Sequence, residues 1–116
     1  MGRLTTHVLD TALGKPGAGI AVTVYRLDGE RAEVARAVTN ADGRCDQPLL
    51  EGPALVKGRY EIVFGAGDYF RAARLELPEP PFVDEVVLRF GVAAPDQHYH
   101  VPLLVSPWSY STYRGS

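Results

Sequence analysis

Cysteine is nearly absent: Cys45 is the single thiol in 116 residues. No intramolecular disulfide can form, and a zinc centre built on several thiolates is excluded. Charge of one sign is missing too. Twelve Lys and Arg stand against 14 Asp and Glu, for a formal net charge of −2. The chain therefore lacks the positive excess with which proteins hold a phosphate backbone, and no nucleic-acid partner is expected. No stretch approaches the ~18 apolar residues of a membrane-crossing helix, so no membrane partner is expected either. The N-terminal MGRLTTHVLDTALG holds no apolar run of the ~7–15 residues found in a secretory signal, which predicts a cytoplasmic protein. Neither a Gly-x-Ser-x-Gly elbow nor a phosphate loop occurs. The length suits one domain, residues 1–116, and leaves no room for a two-domain enzyme with a cofactor crevice.

What the chain has in quantity is turns, with 9 prolines and 12 glycines. Between them lie short β-branched segments. Strands are predicted over Leu4–Leu9, Ile20–Leu27, Val34–Val38, Gln47–Leu50, Gly58–Phe64, Phe82–Phe90, His98–Val105 and Ser109–Tyr113. Asp68 to Leu75 breaks this pattern. It opens on an N-capping residue, contains paired alanines and carries arginines toward its end, which predicts one helix of about two turns. Seven or eight strands and one short helix point to a mainly β, two-sheet sandwich, since a parallel α/β sheet would need a helix between most strands.

Side chains alternate faces along a strand. Tyr99, Val101, Leu103 and Val105 form a core face, which leaves His98, His100, Pro102 and Leu104 on the other. In the first strand Leu4, Thr6 and Val8 oppose Thr5, His7 and Leu9. All three histidines thus sit on faces that also carry apolar residues, and a partner subunit is the simplest cover for such a face. Imidazole is the side chain suited to proton transfer near neutral pH, though strand histidines are commonly surface or interface residues. His98-x-His100 lacks a third ligand, so no metal site is expected. Cys45 reads as a small buried residue beside a turn, and Asp10 and Asp42 as turn-forming residues at strand ends. Asn40-Ala41-Asp42-Gly43 forms a tight turn that delivers Arg44 to the next element.

The segment from His98 to Ser116, HYHVPLLVSPWSYSTYRGS, resembles the C-terminal signature of the transthyretin-like 5-hydroxyisourate hydrolases. The tetrapeptide Tyr113-Arg114-Gly115-Ser116 is the part that separates those enzymes from transthyretin. Thr6-His7-Val8-Leu9-Asp10 with Gly14-Lys15-Pro16 is similar to the other signature of the family. Asn40 to Arg44 resembles the turn carrying its catalytic arginine, and Gly67-Asp68-Tyr69-Phe70 the start of its helix. Trp108 stands where Tyr or Phe is usual, and Ser109 where Gly is frequent; neither falls on a catalytic position.

The resemblance implies a Greek-key sandwich and a homotetramer, a dimer of dimers with sites in the channel between dimers. It implies hydrolysis of 5-hydroxyisourate to 2-oxo-4-hydroxy-4-carboxy-5-ureidoimidazoline, with no metal or organic cofactor. The catalytic residues it implies are His7, Arg44 and His100, with Tyr113, Arg114, Gly115 and Ser116 binding substrate. His100 is preferred to His98 by alignment alone, because both lie on one face. Ring opening needs a base for water, a cation for the oxyanion and a proton for the departing nitrogen. Two histidines and an arginine could supply these, with His7 or His100 activating the water. A neighbouring arginine would keep such a histidine neutral. A transthyretin-like small-ligand carrier and a non-catalytic β-sandwich are the competing readings.

Overall fold

Alternation of buried and more exposed side chains, clearest over Arg3–Asp10 and Ala21–Arg26, marks the core-facing side of the strands. The computed structural model describes residues 1–115. In chain order the elements are β1 (Arg3–Asp10), β2 (Lys15–Pro16), β3 (Ala21–Arg26), β4 (Ala32–Val38), β5 (Leu50–Glu51), β6 (Gly58–Phe64), α1 (Ala66–Ala72), β7 (Val86–Val92), β8 (His98–Val105) and β9 (Tyr110–Thr112), with a 3-10 turn at Gly52–Ala54. One sheet runs β2-β1-β8-β9, with β5 also paired to β1, and the other runs β4-β3-β6-β7. Leu4, Val8, Leu103 and Val105 of the first meet Val22, Val24, Ile62, Phe64 and Val86 of the second in one fully buried core. Phe70 of the helix joins them. The expected two-sheet sandwich with one helix is the architecture found.

Among the described residues nine strands occur rather than seven or eight; the addition is β2, a two-residue pairing on β1. Two residues are too few to leave a periodic signal. The strand expected at Gln47–Leu50 is β5, displaced to Leu50–Glu51.

The helix begins two residues earlier than expected, at Ala66, and ends at Ala72. Gly65 is its N-cap, and no side chain caps it. Asp68 instead sits in the first turn, where its carboxylate suits the positive end of the helix and accepts a 2.8 Å bond from Arg71. The early start follows from packing. Gly67 donates its N–H to the Asp84 carbonyl at 2.7 Å, and a Cβ on Gly67 would stand 2.7 Å from the Asp84 carboxylate. The same contact explains why β7 starts at Val86 and not at Phe82: Asp84 is bound to the helix instead of to a neighbouring strand.

Asp10 does more than close a turn. It is buried, its Oδ1 accepts the N–H groups of Ala12 and Leu13 at 2.9 Å each, and its Oδ2 accepts the Tyr69 hydroxyl at 2.7 Å. Burial, then this bond, push the Tyr69 phenol well above its ordinary range. The end of β1 is thereby tied to the helix. Tyr69→Phe removes one of these bonds to a carboxylate and should cost about 1.5 kcal/mol; Asp10→Ala removes all three and should cost about 3 kcal/mol. Urea unfolding at fixed protein concentration measures both, and equal, negligible losses would contradict the assignment.

Candidate active site

β1 and β8 run parallel, with Arg3 beside His98, Thr5 beside His100 and His7 beside Pro102. Since Leu4, Val8, Tyr99 and Leu103 point into the core, this register gathers the polar side chains on the outer face of the sheet. Arg3, Thr5, His98 and His100 come to lie together there.

Arg44 reaches the same face through its turn. The Asn40 side-chain oxygen accepts the N–H groups of Asp42 at 2.9 Å and Arg44 at 3.2 Å, while the Asn40 N–H donates to the Arg44 carbonyl at 2.7 Å. Gly43 sits at φ 77°, and a Cβ there would stand 2.4 Å from the Val8 carbonyl. Only glycine permits that approach. The Val8 N–H then donates to the Gly43 carbonyl at 2.8 Å, and His7 and Arg44 form a backbone bridge. The turn is thus docked on β1.

A cavity of about 370 Å³ opens here, with Arg3, Thr5, Arg44, Cys45, His98 and His100 in its wall. Arg44 and His100 are therefore brought together. His7 is not in that wall but stands beside it, next to Arg44. Its Nε2 lies 2.9 Å from the Asp42 carbonyl. A carbonyl only accepts, so Nε2 carries the hydrogen and Nδ1 is the nitrogen left to exchange a proton.

The C-terminal tetrapeptide divides. Gly115 lies against His100: its N–H donates to the His100 carbonyl at 2.7 Å, and a Cβ on it would stand 2.7 Å from the imidazole Cδ2. Tyr113 and Arg114 border a separate apolar hollow between β7 and β9. The Arg114 guanidinium lies 4.0 Å from the Tyr99 ring centroid and donates to Gln97 Oε1 and the His98 carbonyl at 3.1 and 3.2 Å. Ser116 lies outside the described residues.

The electrostatics favour neutral imidazoles. Burial, then the charge of Arg44, lower the His100 pKa below the ordinary histidine value, with smaller contributions from His98 and His7. Burial, then Arg3 and Arg114, lower that of His98. Cys45 moves the other way: burial, then Asp46, raise its pKa, so it is a protonated thiol and a poor nucleophile at neutral pH. Among the described residues no group of three or more His, Cys, Asp or Glu side chains is arranged to hold a metal ion.

Two wall residues, Arg3 and Thr5, escape sequence reasoning. Strand parity places Thr5 on the His7 face, but only the pairing of β1 with β8 reveals that it stands between the histidines.

The fold and this wall define a two-sheet sandwich that carries a histidine–arginine site on the outside of one sheet. The family model for HIUase/Transthyretin matches residues 4–115, and the chain belongs to that family. It is 62% identical over 117 residues to the 5-hydroxyisourate hydrolase of Pseudomonas aeruginosa, covering 100% of this chain and 93% of the relative. The structure of the Klebsiella pneumoniae 5-hydroxyisourate hydrolase superposes with a TM-score of 0.83 at 35% identity, over the full length of both chains. A crystal structure of (S)-allantoin synthase superposes with a TM-score of 0.95 at 47% identity, covering 99% of this chain but only 44% of that longer protein.

Removing Arg44 removes the largest charge acting on His100 while leaving those acting on His98. In Arg44→Ala the His100 pKa should rise and that of His98 should stay near its wild-type value, as followed by NMR titration of the ring protons. A His100 titration unmoved by the substitution would show that the guanidinium does not face the imidazole.

Proposed function

We propose that this chain hydrolyses 5-hydroxyisourate to 2-oxo-4-hydroxy-4-carboxy-5-ureidoimidazoline, a ring-opening step of urate degradation. The observation that carries this reading is the meeting of Arg44 and His100 in one cavity wall, with His7 alongside. The full-length identity to hydrolases of that name supports the substrate.

His100, held neutral, takes a proton from water as the oxygen attacks the C6 carbonyl of the ring. Arg44 supplies the donors and positive charge that the developing oxyanion needs, and its planar fork suits a carbonyl-rich heterocycle. Collapse of the tetrahedral intermediate breaks the C6–N bond. The proton taken up by His100 is then delivered to the departing nitrogen, so one proton is borrowed and returned in each turnover. His7, through Nδ1, positions the water or the nitrogen. Gly115 holds the tail against the His100 ring, and through it the tail borders the substrate site.

The assembly proposed is a homotetramer, a dimer of dimers, with sites in the channel between dimers, and its proposed location is the cytoplasm. Leu9 and Leu104 share the face of the site, which in one chain has no cover. Strands β7 and β9 close their sheets around a common apolar hollow, with free edges that a second copy could extend.

His7→Ala, Arg44→Ala and His100→Ala should each lower kcat/KM by at least ~100-fold, the scale of a lost general base or oxyanion donor. The decay of freshly generated 5-hydroxyisourate absorbance reads this, and a wild-type rate in His100→Ala would overturn the assignment. Saturable binding of the ureide without any decay would instead establish a carrier. Dilution should abolish activity as the oligomer dissociates. A monomer verified by sedimentation and fully active would refute the shared site.

A further inference from the structure

The Thr5 hydroxyl stands between two imidazoles, 2.7 Å from His98 Nε2 and 2.8 Å from His100 Nδ1. Both contacts are short and half-buried, and the two rings lie 6.1 Å apart, tilted at 56°. A hydroxyl has one hydrogen to give. It cannot donate to both nitrogens, so one imidazole must donate to it while the other accepts from it. The tautomers of the two histidines are coupled through a single proton.

We infer that Thr5 and His98 are positioning residues for the hydrolytic reaction: Thr5 donates to His98 Nε2 and accepts from His100 Nδ1–H, leaving the His100 Nε2 lone pair to act as the base. This rests on the hydrolase reading above. His100 Nδ1 is committed to Thr5, so Nε2 is the nitrogen available to the cavity. A lone pair there is favoured over an N–H by the positive Arg44 in the same wall. Without His98 as an acceptor, the Thr5 hydrogen would turn to His100 Nδ1 and force the hydrogen onto Nε2, the wrong tautomer for a base.

The same chain of bonds spreads the charge once His100 takes a proton from water. The Nδ1 hydrogen passes to Thr5 Oγ1 while the threonine hydrogen passes to His98 Nε2. His100 is then neutral with its hydrogen on Nε2, and His98 carries the positive charge. The reverse shift restores the imidazolium as the departing nitrogen is protonated. The groups facing this pair are Arg3 of β1 and Arg114 of the C-terminal tail toward His98, and Arg44 and His7 toward His100.

Two-bond nitrogen–proton NMR spectra of the full-length protein, recorded without substrate, read the ring tautomers directly. The expected wild-type result is a hydrogen on Nδ1 of both His98 and His100. His98→Ala should move the His100 hydrogen to Nε2, whereas His98→Gln, whose side-chain carbonyl still accepts from Thr5, should not. In parallel, Thr5→Val and His98→Ala should lower kcat by about 10–100-fold, with KM changed by less than about twofold, and Thr5→Ser should restore most of the rate. A wild-type His100 with its hydrogen on Nε2 would overturn the inference. So would an unaltered tautomer and rate in His98→Ala. If the valine and alanine variants fail to fold, the wild-type spectrum and the serine and glutamine variants still decide it. A wild-type protein inactive on 5-hydroxyisourate would defeat the functional reading alone, since the tautomers are measured without turnover.

Discussion

The parallel pairing of β1 with β8 is the constraint on which the site depends. Each strand turns one face to the core and its histidines to the other, and neither outer face alone gathers the groups of the cavity wall. Pairing Arg3 with His98 and Thr5 with His100 puts the two sets side by side. A slip of one residue in β1 would turn Leu4 and Val8 outward and Thr5 and His7 into the core, exchanging buried methyl groups for unpaired polar atoms. The apolar core thus enforces the register, and the register composes the site. Strands so paired cannot be joined by a tight turn, so the rest of the sandwich is the connection between them.

Concentrating cations on that face has an electrostatic cost, and the same cost keeps the histidines in the form that can accept a proton. Arg3, Arg44 and Arg114 crowd two imidazoles, with Asp46 the one carboxylate in the cavity wall among the described residues. Protonating either imidazole is unfavourable until something anionic arrives. In the proposed mechanism a developing oxyanion at Arg44 is such a species, so the field that deters a proton at rest would weaken as the reaction proceeds. Elsewhere the molecule neutralises buried charge locally. Glu61, buried in β6, is flanked by Arg31 and Arg89 at 3.3 Å each. Among the described residues of the cavity wall, two arginines meet a single carboxylate.

Much of this was legible from residue patterns, and the omissions share a physical origin. His98 and His100 against Tyr99, Val101 and Leu103 is a period-two signal that no helix would produce, and Asn40 to Gly43 spells a turn whatever surrounds it. The position of Arg44 followed from that turn, while its docking on β1 needed Gly43 to fit under the Val8 carbonyl, a contact between distant segments. The helix start is not legible in the sequence, because Asp68 has the chemistry of a cap whereas contact with Asp84 sets the boundary. The role of Thr5 is hidden for the same reason: parity puts it on the His7 face, but only its cross-strand neighbours show that it stands between two imidazoles. Local chemistry is written in the sequence, and the pairing of sheet partners far apart in the chain is not.

Gly115 shows how the tail acts on the site through the His100 ring. Gly115 bonds to the His100 backbone and leaves no space for a Cβ beside the imidazole. The ring is therefore held from two sides, by Thr5 at Nδ1 and by the tail at Cδ2. Two contacts on different edges of a planar ring fix its rotation as well as its position, which a single hydrogen bond would not. Arg114, meanwhile, is stacked on Tyr99 and bonded to the His98 carbonyl, so it anchors the tail at the neighbouring histidine. The tail and the β1–β8 ladder act on the same imidazole from opposite sides, and the ring proposed as the base is given a defined orientation on a sheet surface.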